Sequence, residues 1–137
     1  MSNLVRDSLA MRNAYATARK TKIDAGGAGA KLRCYTTPKP EGPDTAISSQ
    51  VLLAELTLSY PCGTVSNGKL VLNKITGDPS ANADGDIEFV RLLDSDNNVI
   101  CDMDAAESSV SGAIKFNSVT VVAGVEVKVI SGEFIEP

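Results

Sequence analysis

From Gly29 onward, apolar and polar positions alternate with a period near two, in short runs punctuated by Gly, Pro, Asn and Asp. That period is the signature of half-buried strands bounded by turns. It predicts strands over 32–36, 51–58, 69–75, 86–93, 99–103, 113–120 and 125–135. In Val125-Glu126-Val127-Lys128-Val129 one face is wholly apolar and the other charged. Val99, Cys101 and Met103 alternate with Asp102 and Asp104 in the same way, which places the two carboxylates on a strand's wet face. Asn67-Gly68 favours a tight primed turn, and Asp94-Ser95-Asp96-Asn97-Asn98 is turn chemistry between two strand patterns, so both predict hairpins. The stretches 37–45, with its three prolines, and 78–85 predict irregular loops. The fold class expected is all-β: a jelly roll or β-sandwich of about seven to eight strands.

The first residues follow a different period. A helix is predicted from near Asn3, a good N-cap, to Gly26-Gly27, where positive φ is tolerated. Leu4, Met11, Tyr15 and Ala18 form a narrow apolar stripe that leaves out Val5, Leu9 and Ile23. Arg19, Lys20 and Lys22 would sit at the negative end of the helix dipole. An arm that orders only on a partner is the competing reading. The organisation expected is a helix or arm over 1–26 and a β domain over 27–137.

Length and composition narrow this further. The 137 residues suit one domain with one core. With no Trp, 3 Tyr and 3 Phe, that core is built from Val, Leu, Ile and Ala, and stacking platforms for sugars or bases are scarce. No apolar run approaches the roughly 20 residues of a membrane span, and the N-terminus lacks the layout of a secretion signal, so no membrane partner is expected. Cys34, Cys62 and Cys101 are odd in number and far apart, as expected of buried free thiols in a reducing cytoplasm. Charge is segregated. Residues 1–24 carry five basic and two acidic side chains, a net +3, whereas the rest carries eight basic and fifteen acidic, a net −7. Between Asp78 and Glu107, nine acids face the single base Arg91, which disfavours nucleic acid as a partner.

The absence of histidine removes the usual neutral-pH base and the usual activator of a Ser or Cys nucleophile. No alternative pairing of Ser with Lys, or of carboxylates, falls in a recognisable spacing, so no catalytic residue and no enzyme activity are expected. Asp94, Asp96 and Asn98 imitate the first half of a calcium loop, but Val99 and Ala105 stand where that loop needs Gly and a bidentate Glu. A hairpin turn is the reading preferred there, with no metal or cofactor. Gly26-Gly27-Ala28-Gly29 follows a helical pattern instead of preceding one, which makes it a cap or hinge and not a phosphate cradle.

Several runs carry a resemblance. These are Ile23 to Leu32, Tyr35-Thr36 with its Pro-containing loop, Leu52 to Leu56, Phe89-Val90-Arg91 with Asp94-Ser95-Asp96, Phe116-Asn117, and Val122 to Val127. Together they resemble the cement (decoration) proteins of tailed-bacteriophage capsids. The resemblance implies a jelly-roll structural protein on the virion exterior, made in the host cytoplasm, that joins neighbouring major capsid subunits as a homo-oligomer, with a dimer the form expected. It implies no catalytic residue. A jelly-roll module for carbohydrate or a host surface, or another virion component at the head–tail junction or fibre, is the alternative. Independently of the resemblance, the basic first segment is expected to dock on the partner. Arg12, Arg19, Lys20 and Lys22 would meet acidic groups, and Leu4, Met11 and Tyr15 would make apolar contacts.

Overall fold

The computed structural model describes residues 5–107 and 114–135. Within them the chain forms α1 (Leu9–Ile23), β1 (Lys31–Tyr35), β2 (Leu52–Thr57), β3 (Gly63–Ser66), β4 (Lys69–Leu72), β5 (Gly85–Asp86), β6 (Phe89–Leu93), β7 (Val99–Glu107), β8 (Ile114–Phe116), β9 (Thr120–Val121) and β10 (Val129–Ile135). Eight strands make one curled sheet in the order β2-β1-β6-β7-β8-β10-β4-β3, and β5 pairs separately with β9. Neighbours run antiparallel except β7 and β8. The architecture is mostly β with one N-terminal helix, consistent with a β-sandwich or jelly-roll-like fold. The curl wraps one core, in which Leu32, Cys34, Leu56, Leu70, Val90, Leu92, Ile114 and Phe116 are fully buried.

Both predicted hairpins form. Asn67 (φ 53°) and Gly68 (φ 75°) make the two-residue turn joining β3 to β4, the positive φ pair that a primed turn requires. Asp94 to Asn98 joins β6 to β7. The strand β3 was not predicted, since Gly-Thr-Val-Ser carries no alternation of its own. Gly63 is needed there because a Cβ would lie 2.1 Å from the Val71 carbonyl oxygen.

Several expected strands are shorter than their patterns: β2 loses a residue at each end of 51–58, and β4 stops at Leu72, before the expected 75. The 86–93 pattern divides into β5 and β6, because the Ile87 N–H turns to the Val119 carbonyl and the Glu88 N–H to that of Tyr35. The 113–120 pattern, whose Ala113 lies outside the described residues, divides into β8 and β9. The alternating run 125–129 is mostly not strand: Val127 pairs only with Asp78, and Val125 is exposed in a turn around Gly124, whose φ is 81°. Loop geometry overrode the alternation there.

The edge of β2 is sealed from within the chain. Thr57 exchanges both backbone hydrogen bonds with Thr76, the Glu55 N–H donates to Asp78 Oδ2 at 3.0 Å, and the Asn82 N–H donates to the Leu53 carbonyl. An edge covered in this way cannot template pairing with another chain.

The helix starts at Leu9 and not near Asn3, which lies outside the described residues. Ser8 caps it, accepting a hydrogen bond from the Met11 N–H at 3.2 Å. It stops at Asp24, and Gly26 and Gly27, with φ of 94° and 76°, redirect the chain into β1. The buried face lies apart from the apolar stripe. Ala16 and Ile23 are buried, with Arg12, Arg19 and Lys20 half-buried around them, whereas Met11, Tyr15 and Ala18 face outward. A small residue at Ala16 lets the helix approach the β3–β4 hairpin closely, and Ile23 fills the core beyond it.

Candidate interaction surface

Registers across β2, β1, β6 and β7 align Glu55, Arg33, Arg91 and Asp102 in one row. Two arginines directly opposite each other would repel, but each is drawn to its own acid. Arg33 Nε donates to Glu55 Oε2 at 2.8 Å, and Arg91 holds Asp102 with two bonds, Nε to Oδ1 at 2.7 Å and Nη2 to Oδ2 at 2.9 Å. Arg91 also donates to the Thr45 carbonyl at 2.8 Å and the Gly42 carbonyl at 3.2 Å. The guanidinium thereby clips the proline-rich loop between β1 and β2 over the outer face of β6. Asp102 is consequently not a wet-face carboxylate: its side chain is 8% exposed, against 79% for Asp104. The Asp102 hydrogen bonds raise the Arg91 pKa further above its ordinary value. Alternation along β1, β6 and β7 put these residues on one face each, but only the register assembled the row.

The Asp94 turn uses its carboxylate internally. Oδ1 accepts the N–H groups of Asp96 and Asn98, both at 2.9 Å, and Oδ2 accepts from Asn98 Nδ2 at 3.1 Å. Burial alone would raise the Asp94 pKa, but these donors bind the charged form and hold it below the ordinary carboxylate value. Among the described residues no group of three His, Cys, Asp or Glu is placed to hold a metal, and no helix is long and apolar enough to cross a membrane. The three cysteines are free thiols. Burial pushes the Cys34 and Cys62 pKa values up to about 12, far from nucleophilic range.

The residues expected to dock on a partner separate into two sets. Arg12, Arg19 and Lys20 are turned toward the body. Arg12 lies against Gly68, Arg19 sits 4.8 Å over the Phe134 ring, and Lys20 pairs with Asp24 at 3.0 Å. Around them, Asn13 Oδ1 accepts the Gly68 N–H at 2.7 Å and Asp24 Oδ1 accepts the Cys62 N–H at 2.9 Å. The Asn13 and Asp24 bonds fasten the helix to the β3–β4 side of the body. Met11, Tyr15 and Lys22 remain on the outside, Met11 and Tyr15 being 46% and 41% exposed. Leu4 lies outside the described residues. Tyr15, Ala18, Arg19 and Lys22 rim a shallow depression against Ile100 of β7, and the nearby Asp7 charge raises the Tyr15 pKa.

A second open face, not anticipated from the sequence, lies on β4, β8 and β10. In β10 only Phe134 is buried, and Ile130 and Ile135 are exposed beside Val71 of β4. They line a groove of about 770 Å³ together with Lys74, Lys115 and Glu133. The broken alternation Val-Ile-Ser-Gly-Glu-Phe-Ile was the available signal, since it puts apolar residues on both faces of the strand. No protein-family description, curated protein or solved structure matches the chain.

Proposed function

We propose that this protein is a structural virion component that binds the exterior of a tailed-phage capsid and cements neighbouring major capsid subunits, acting as a homodimer. The resemblance in its β-strand and turn motifs supplies the class of partner. The observation that carries the reading is the outward face of α1, where Met11 and Tyr15 stand exposed beside Lys22 on a helix that is itself fastened to the body. A fixed face of this kind binds without the cost of ordering a free arm. Cementing follows from mass action: a ligand of the assembled shell that does not bind its separated subunits stabilises the shell, and many copies add.

The test is co-sedimentation with capsids whose major subunit is encoded beside this chain's gene. The wild type is expected to pellet with the shell and to raise its disassembly temperature. Met11→Asp with Tyr15→Asp, both on the exposed side of α1, is expected to remain folded and stay in the supernatant. A wild type that ignores the shell overturns the reading.

A further inference from the structure

The geometry points to a second copy of this chain as the occupant of the groove on β4, β8 and β10, in a contact with twofold symmetry. Val71, Ile130 and Ile135 are 44%, 57% and 63% exposed and share one groove, so the described residues of a single chain leave them uncovered. The orientation is set by the strand: Phe134 points inward beneath Arg19, which turns its neighbours Glu133 and Ile135 outward. Register places Glu133 opposite Val71, so an acid sits at the centre of the apolar group. Lys74 and Lys115 line the same groove, and neither they nor Glu133 has an ion-pair partner among the described residues.

The charge pattern selects the occupant. A partner of one sign would satisfy either the lysines or the glutamate and leave the other facing like charge. A copy rotated by a twofold axis brings Glu133 of each chain toward the lysines of the other while the β-branched side chains meet at the centre. The sheet edge at β2 is closed by Thr76, Asp78 and Asn82 and is not open to strand pairing. This inference deepens the clamp reading, and rests on it in expecting two copies at one boundary; it adds the face through which they meet.

Sedimentation equilibrium of the full chain at tens of micromolar is expected to give a dimer. Val71→Asp with Ile135→Asp is expected to give a monomer whose far-UV circular dichroism is unchanged. The sharper test is charge exchange, which keeps the outcome readable even if the aspartate variant fails to fold. Glu133→Lys alone, and Lys74→Glu with Lys115→Glu alone, are each expected to weaken the dimer, and mixing the two proteins is expected to restore it as a heterodimer. A monomeric wild type, a dimer indifferent to all these changes, or a different protein seated on the groove of a monomer overturns the inference. Capsid binding is scored alongside: a stable dimer that ignores the shell removes the clamp reading alone, and a monomer that still decorates it removes only the dimer face.

Discussion

The strands β6 and β10 belong to one sheet, yet they are treated differently by the rest of the chain. All five residues of β6 are buried, whereas β10 buries only Phe134 among its seven. On its inner side β6 gives Val90 and Leu92 to the core; on its outer side Phe89 stacks on Tyr35 at 5.3 Å and Arg91 draws the loop 37–50 across. β10 has the helix over its inner side, through Arg19 on Phe134, and nothing among the described residues over its outer side. The difference teaches where this protein spends its sequence on stability and where it leaves surface for other molecules: a closed half on β2-β1-β6-β7 and an open half on β8-β10-β4-β3.

The largest expected effect tests the closed half. Arg91→Ala strands the Asp102 carboxylate in a buried site and frees the loop carbonyls of Gly42 and Thr45, and is expected to cost about 3–5 kcal/mol in urea denaturation. Replacing both partners, Arg91→Met with Asp102→Leu, is expected to recover much of that loss. By contrast Lys115→Ala, on the open face, is expected to stay within about 0.5 kcal/mol of wild type. Equal losses at the two sites would erase the distinction between the halves.

Next in size is the fastening of the helix. Asp24→Ala removes both the acceptor for the Cys62 N–H and the partner of Lys20, and is expected to cost about 1–3 kcal/mol by the same measurement. An arm that was only loosely attached would show no change, and α1 would then belong to neither half.

Acid sensitivity comes third. The Asp94 carboxyl has a lower pKa in the folded chain than its ordinary value of 3.8, so the unfolded chain binds its proton first as pH falls. Its contribution is therefore present in full above the unfolded value and is lost as pH drops through the folded one. Asp94→Asn is expected to be less stable at pH 7 and to show a flatter decline as pH falls below the ordinary carboxylate value of 3.8. Parallel curves for the two proteins would mean that the turn does not hold the charged form. The smallest expected effect is none: with Cys34, Cys62 and Cys101 free, reductant is expected to leave the melting temperature of either half unchanged, as read by calorimetry.

What was legible locally followed short-range physics. Alternation located the main body of most strands, Asn67-Gly68 and Asp94 to Asn98 named their hairpins, and Gly26-Gly27 marked where the helical segment turns away. Where reading failed, a distant partner had decided. Asp102 looked like a solvated strand position until Arg91, itself tied to the loop carbonyls, met it, and Val125 looked like core until the turn at Gly124 lifted it out. On the helix, Met11 and Tyr15 share an outward face by spacing, whereas the face that packs is chosen by the β3–β4 hairpin, which accepts Ala16 and Ile23.

The sequence by itself determined a mostly β chain with a basic helical leader and the turns that link its strands, because those depend on period, on φ preference and on side chains a few residues apart. The tertiary structure alone decided the row Glu55-Arg33-Arg91-Asp102, the loop closed over β6, and the groove left open on β10. Each of these is set by strand order and register between residues far apart in the chain, which no local pattern encodes.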